Sequence, residues 1–286
     1  MMNKLFYPAL LIMSLFAAAC SDNNNEPEPI TPFSLDKTYY EVRLERGSTT
    51  IHVTNGSGDI SLSIEDEKIL NAKYEGGLYA DGLRGVIYLY GLQKGNTTLT
   101  ITDNVTGDKQ TVEVKVTDLY LAYGIAYSNH PALQAGTVLF LVNNQARDCY
   151  LFLIDNMHGQ LYDRPLVKGS YEFFVTTNSG TAAPQLYDIP NLRLTYPSDD
   201  EGNPTDSDIT ATPHDFQIEI GGQNASSSSV LQIIQAYLGV DWDELTGKVQ
   251  TKTPAPDMRM IMTVPDTDYQ ITGVLSTVSI PEHVLD

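Results

Sequence analysis

Through most of residues 33–117, apolar and polar side chains alternate with a period of two. Tyr40, Val42 and Leu44 alternate with Glu41, Arg43 and Glu45, and Ile60, Leu62 and Ile64 with Ser61 and Ser63. Leu99 and Ile101 alternate with Thr98 and Thr100, and Val112, Val114 and Val116 with Thr111, Glu113 and Lys115. Such a period puts successive side chains on opposite faces of a strand, so each segment predicts a strand with one buried face. Between them lie Asn55-Gly56-Ser57-Gly58, Gly76-Gly77, Asp81-Gly82 and Thr106-Gly107-Asp108. Gly and Asn tolerate the positive φ of tight turns. Many short strands at even spacing predict an antiparallel sandwich.

One stretch is more specific. Ile87 to Tyr90 is a strand, Gly91-Leu92-Gln93-Lys94-Gly95 follows, and Asn96 to Ile101 is a Thr-rich alternating strand. With the upstream Ser61 to Leu70, this resembles the bacterial immunoglobulin-like domain of group 2. The resemblance covers residues 33–117 and implies an immunoglobulin-like sandwich, a surface module often used as a spacer.

Val116-Thr117-Asp118 runs without a Pro/Gly linker into Leu119, Leu121, Tyr123, Ile125 and Tyr127, a further alternation. The junction is therefore short and stiff. Residues 118–286 predict more strands at Thr137–Asn143, Cys149–Asp155, Gly169–Thr176, Phe216–Ile220, Met258–Val264 and Tyr269–Val278. Several, such as Val138 to Val142, are apolar on both faces and read as central strands. The expected fold class is all-β: the first sandwich followed by a larger antiparallel β-sandwich with one helix inserted. Val230, Ile233, Ile234, Tyr237 and Leu238 recur at helical spacing, with Ser226 to Ser229 as N-caps and Gly239 as a stop. Asp241 with Glu244 predicts a capped further turn. Tyr150 to Ile154 with Leu166 to Phe173 resembles β-sandwich lipoprotein domains of gut anaerobes that have no assigned activity.

The N-terminus is of a different kind. Lys4 is basic, Leu5 to Ala19 carries no charge, and Ala17, Ala18 and Ala19 lead into Cys20. The apolar run is shorter than the roughly 20 residues of a membrane span, and the pattern is that of a secretory signal peptide, residues 1–19. The Cys after small residues resembles the lipobox of bacterial lipoproteins, although Ala17 stands where that box prefers Leu. The resemblance implies lipidation of Cys20 and attachment to the membrane through acyl chains. Residues 20–32, with Ser21-Asp22-Asn23-Asn24-Asn25 and three prolines, predict a disordered tether. Their acidic, Asn-rich start resembles the surface-export signals of outer-membrane lipoproteins. The expected location is the outer membrane, lipid-anchored and facing outward.

Composition excludes some partners. Residues 118–286 hold 21 acidic and 7 basic side chains, and the whole chain carries a net charge of −19. Such a surface repels phosphate backbones, so nucleic acid is not an expected partner. With Cys20 lipidated, Cys149 is the one remaining thiol, and its apolar surroundings predict an inert core residue. The histidines at 52, 130, 158, 214 and 283 have no metal-ligand spacing. No nucleophile elbow, P-loop or dinucleotide fingerprint occurs. Asp241, Asp243 and Glu244 beside Trp242, the single Trp, could supply the carboxylate pair and the aromatic platform of a glycosidase. Helix capping and core packing explain them without chemistry. Met258, Met260 and Met262 predict a packed strand face.

The stretch Asn178–Asp215 reads as a long loop, and long loops in compact domains are often functional. Tyr187, Asn191, Tyr196, Asp199 and Asp200 are its candidate ligand-binding residues, the rings for stacking on sugars and the polar groups for their hydroxyls. Asp199, Asp200, Glu201, Asp206 and Asp208 supply hard oxygens, so calcium is the one ion this loop suggests, in the absence of any other cofactor. No catalytic set is visible, and the expected role is a binding or adhesion module for a glycan or a protein partner. A surface polysaccharide hydrolase and a purely structural accessory of a surface complex are the alternatives.

Overall fold

The computed structural model describes residues 29–44, 49–77, 82–155, 157–178, 187–200, 202–205, 210–220, 229–246, 258–276 and 278–285. It is mainly β. The first eight strands are β1 (Ser34–Leu35), β2 (Tyr39–Arg43), β3 (Thr49–Thr54), β4 (Ile60–Ile64), β5 (Leu70–Gly76), β6 (Leu83–Gly91), β7 (Gly95–Asp103) and β8 (Lys109–Thr117). They form two four-stranded sheets, ordered β1-β3-β6-β5 and β2-β8-β7-β4. All neighbours are antiparallel except β2 and β8, which pair in parallel. The alternation explains the packing: Val42, Val53, Ile87, Leu89, Leu99, Ile101, Val112 and Val114 from both sheets meet in one core. Asp103 is fully buried at one end of it. Its carboxylate accepts the N–H and the hydroxyl of Ser57, both at 2.7 Å, and the N–H groups of Val105 and Thr106.

The second unit departs from the expected sandwich. Its strands are β9 (Tyr120–Ser128), β10 (Thr137–Val142), β11 (Asp148–Asp155), β12 (Gln160–Leu161), β13 (Val167–Asn178), β14 (Tyr187–Pro197), β15 (Ala211–Ile218), β16 (Arg259–Thr263) and β17 (Gln270–Ser276). Eight of them run in sequence order around a closed antiparallel ring, with β12 added to β11. The closing pair joins β17 to β9, Thr272 opposite Tyr127 and Leu275 opposite Tyr123. This is an up-and-down barrel, which leaves no free sheet edge. A barrel of about eight strands has an interior that side chains can fill. Here Tyr123, Leu139, Leu141, Leu151, Leu192, Leu194, Phe216, Met260, Met262 and Ile271 belong to one buried cluster. The pairing of β17 with β9 shifts register between Thr272 and Gly273. A Cβ on Gly273 would lie 2.3 Å from the Gly124 carbonyl oxygen, so no larger residue fits there.

Helix α1 (Ser229–Leu238) and the short α2 (Trp242–Thr246) lie between β15 and β16 and plug one mouth of the barrel. Val230, Ile234 and Leu238 face the interior cluster, as their spacing predicts; Leu231, outside the predicted set, joins them, while Ile233 and Tyr237 are only partly buried against it. Gly239 ends α1 at φ 65, its N–H bonded to the Gln235 carbonyl. Asp241 Oδ1 accepts the N–H groups of Asp243 and Glu244 at 3.0 Å, the expected N-cap of α2. Trp242 is buried and donates to the Leu231 carbonyl at 2.8 Å.

The strands apolar on both faces have an explanation specific to this barrel. Inside, Leu139 and Leu141 join the interior. Outside, Val138, Phe140, Val142, Tyr150 and Phe152 make a second core with Tyr120, Ile280 and Leu285. The last described segment, 278–285, thus lies across the outer face of β9, β10 and β11.

Candidate functional site

The described residues of the stretch read from sequence as a loop are largely strand. β14 and β15 run through it, with Leu194 opposite His214 and Tyr196 opposite Thr212. Leu192, Leu194 and Tyr196 alternate with Arg193 and Thr195, and this is the signal that could have revealed β14. Two prolines, Pro190 and Pro197, concealed it, since Pro is unusual inside a sheet.

The strand assignment decides what the candidate residues do. Tyr196 is only 2% exposed. Its ring stacks on His214 at 4.4 Å and its hydroxyl donates to the Gly202 carbonyl at 3.2 Å. Burial raises its pKa above the ordinary phenol value. With one face on His214 and the rest buried, it is not a platform for sugar. Asn191 is also 2% exposed, its amide donating to Thr176 Oγ1 and to the Ile189 carbonyl. Asp199 accepts the N–H and the amide of Asn203 at 2.8 and 2.9 Å, closing a tight loop. Asp200 is exposed. Tyr187 opens β14, but its side chain lies outside the described residues, as do Glu201, Asp206 and Asp208 entirely. Among the described residues, no three His, Cys, Asp or Glu side chains come together as a metal site. Cys20 also lies outside the described residues.

This loop sits at the barrel mouth opposite the helices. Ser198 Oγ lies 3.1 Å from His214 Nε2, and Thr212 Oγ1 lies 3.2 Å from it; the two hydroxyls also bond each other. A Ser–His pair invites a nucleophile reading, but the geometry does not support one. Ser198 is 4% exposed. Asp215, next in the chain, faces away and is held by Arg193 through two bonds of 2.7 and 2.8 Å. An activated serine needs a base that a third group orients. His130 reaches the same mouth, its ring edge-on to Phe216 and Tyr269. Its Nδ1 accepts the N–H groups of Ala132 and Leu133. Burial, with His214 nearby, pushes its pKa down to about 4. The two histidines thus serve packing and turn closure. Cys149 faces the interior, and burial pushes its thiol up to about 12, far from a reactive thiolate.

An open concavity lies elsewhere among the described residues, between sandwich and barrel, with a volume of about 760 Å³. The sandwich contributes Asp36, Lys37, Glu41, Thr49 and Thr50. The barrel contributes Val138, Ile154 and Leu161 as an apolar floor, with Gln160 and Asp163 beside it. Residues Val278 to His283 form the remaining wall. Much of its polar rim is already organised. Tyr40 donates to Asp36 at 2.7 Å, and Tyr39 donates to Glu41 at 2.7 Å. Burial, and then the Asp36 carboxylate, raise the Tyr40 pKa. Gln160 and Asp163 line it and are exposed. Cavities of roughly 300–1,000 Å³ with an apolar floor and a few fixed polar groups, set at the junction of domains, are the usual form of ligand sites. Its residues come from three distant parts of the chain and carry no motif, so the sequence offered no local signal for it.

No family model matches this chain, and no curated protein matches it. Among solved structures it is similar to domains 4 and 5 of the S-layer protein SbsC, at 17% identity and a TM-score of 0.26, covering 31% of this chain and 52% of that one. The match thus spans about half the length of that structure. It is also similar to SbsC domains 5-6, at 12% identity and a TM-score of 0.25, over 66% of this chain and 97% of that one. The D0-D1 domain of Intimin matches at 10% identity and a TM-score of 0.22, over 64% and 95%. At such scores the likeness carries no argument about what this chain does.

Proposed function

We propose that this protein is a lipid-anchored outer-membrane binding module that holds a glycan or a protein segment in the cleft between its two units. The observation that carries the reading is the cleft itself, about 760 Å³ with an apolar floor and a rim of hydroxyl, amide and carboxylate groups. Sugars and peptides present that mixture of CH faces and hydroxyl or amide groups. The Lys4 to Cys20 pattern supports the anchor, and the Gly91 to Ile101 motif supports an immunoglobulin-like role for the sandwich as a spacer. Among the described residues no acid orients the Ser198–His214 pair, and that pair stands apart from the cleft.

The test is a glycan, mucin and protein array probed with the soluble chain, residues 33–286. Saturable binding that Gln160→Ala and Asp163→Ala weaken at least tenfold is expected, because both side chains face the cleft without holding the fold. Binding that survives both changes places the site elsewhere. Release of reducing sugar from a bound glycan replaces this reading with a hydrolase.

A further inference from the structure

We propose that segment 278–285 is a latch, seated firmly on the barrel and held lightly on the sandwich, that fixes the two units as one body and sets the width of the cleft. The inference stands on the contacts of the segment and does not need the cleft to bind anything.

The covalent connection between the units is slight. β8 ends at Thr117 and β9 begins at Tyr120, leaving Asp118 and Leu119. Beside this joint, Lys94 pairs with Asp118 and the Arg43 guanidinium lies 4.8 Å from the Tyr120 ring centre. One joint leaves rotation about it, and a second attachment away from the joint removes that freedom. The latch supplies the second attachment.

Its two ends are anchored on the barrel. Ile280 and Leu285 are each 6% exposed in the outer core with Tyr120, Phe140, Val142 and Phe152. The Ile280 N–H also donates to the Tyr120 hydroxyl at 3.1 Å. Between these anchors, Glu282 and His283 reach the sandwich. Glu282 pairs with Lys37 at 2.7 Å. The His283 N–H donates to Glu41 Oε1 at 2.8 Å, and its ring stacks on Tyr39 at 4.6 Å. His283 does this at φ 66. A non-Gly residue persists in that region only where its surroundings hold it there.

The two grips differ in strength. Apolar burial of two branched side chains is the firm one. The ion pair is the light one: its side chains are 52% and 40% exposed, and exposed pairs of this kind contribute little and weaken further with salt. Release therefore occurs on the sandwich side, and the cleft opens there, since Val278 to His283 form its wall.

The test uses the soluble chain, residues 33–286, without ligand. The double change Tyr39→Ala with Glu41→Ala removes the ring stack and the acceptor of the His283 N–H, leaves only the exposed Lys37–Glu282 pair, and touches no barrel core residue. A second variant ends at Ser276. Calorimetry and small-angle scattering are the readouts, with circular dichroism as a check of the fold. The unaltered chain should melt in one transition and scatter as a compact particle. Both variants should split that melt into two transitions and extend the largest particle dimension. If truncation unfolds the barrel by baring Phe140 and Phe152, the double variant alone decides. A single unchanged melt and unchanged scattering in the double variant overturn the proposal, as does an unaltered chain that already melts in two independent steps.

Discussion

Arg147 should hold the helical plug in the barrel. It sits in the turn between β10 and β11 at φ 53, beside the plugged mouth. Its Nη1 donates to the Leu238 carbonyl at 2.7 Å and to Asn143 Oδ1 at 2.9 Å. Leu238 is the last residue of α1, so the guanidinium bonds an end carbonyl that no intrahelical N–H can reach and faces the negative end of the helix dipole. Asn143 adds a bond to the Tyr237 carbonyl at 3.1 Å. A hydrogen bond from a charged donor contributes about 1.5–3 kcal/mol, and a cation at a helix C-terminus roughly 0.3–1 kcal/mol. The contacts are partly buried, so Arg147→Met should cost about 2–3 kcal/mol in total. At roughly 2–4 °C per kcal/mol for a unit of this size, Tm should fall by about 4–12 °C. Arg147→Lys keeps the charge without the fork and should fall between. The assay is built in, because Trp242 is the only Trp and sits in the plug. Its emission should shift to the red at the lower temperature in step with the loss of strand signal. A Tm within 1 °C of the unaltered protein for Arg147→Met would refute the clamp.

Three further outcomes follow from the geometry. Burial opposes ionisation of Asp103, yet its hydrogen bonds from Ser57, Thr106 and Val105 prevail and hold it down to about 2. A depressed carboxylate stabilises the fold above its unfolded pKa near 4, and that stability is lost as pH falls towards 2. Denaturant melts of the sandwich over that range should show the loss, and Asp103→Asn should flatten it. His130 is neutral in the fold down to about 4, so the unfolded chain binds its proton first, and barrel stability should decline as pH falls from about 6.5 to 4. His130→Asn, which keeps an acceptor for the turn, should remove that slope in urea melts. Gly95 lies at φ 153, and a Cβ there would meet Ile69 Cδ1 at 2.9 Å. Gly95→Val should therefore lower the melting temperature of the sandwich by several degrees, and an unchanged melt would mean that Ile69 moves aside and the strained backbone relaxes.

How much of this was legible depends on how local each cause is. Most strands of residues 39–117 could be read because each alternation is complete within five to nine residues, but β5 (Leu70–Gly76), with Asn71, Lys73 and Glu75 around a single fully buried Leu70, was not among them. Helix α1 and its Gly239 stop, the Asp241 cap and the buried Trp242 were legible for the same reason. Barrel closure was not. A strand with one buried face reads alike in a sandwich and in a barrel, and what closes the ring is the pairing of β9 with β17, set by residues as far apart as Ser128 and Ile271. The double-sided apolarity of Val138 to Val142 was visible, but its outer partners Ile280 and Leu285 lie at the far end of the chain. The candidate loop failed for a related reason. Tyr196 and Asn191 are polar-tipped residues of the sort found in sites, and only the register of β14 shows that both are buried. The cleft gathers positions 36–50, 138, 154–163 and 278–283 by tertiary packing alone.

The ring order of the barrel also governs how it comes to exist. Apart from the closing pair, each ladder joins strands that follow one another around the ring, so hairpins can zip up as successive strands become available. The closing pair cannot form before β17. Until then β9 presents unsatisfied backbone along one side, next to the apolar residues Tyr120 and Ala122 that the latch later covers. An exposed strand of this kind is a template for joining other chains. The rate-limiting and most aggregation-prone interval should thus be the wait for β17, and a chaperone that shields β9 would act at the point where the molecule is most at risk.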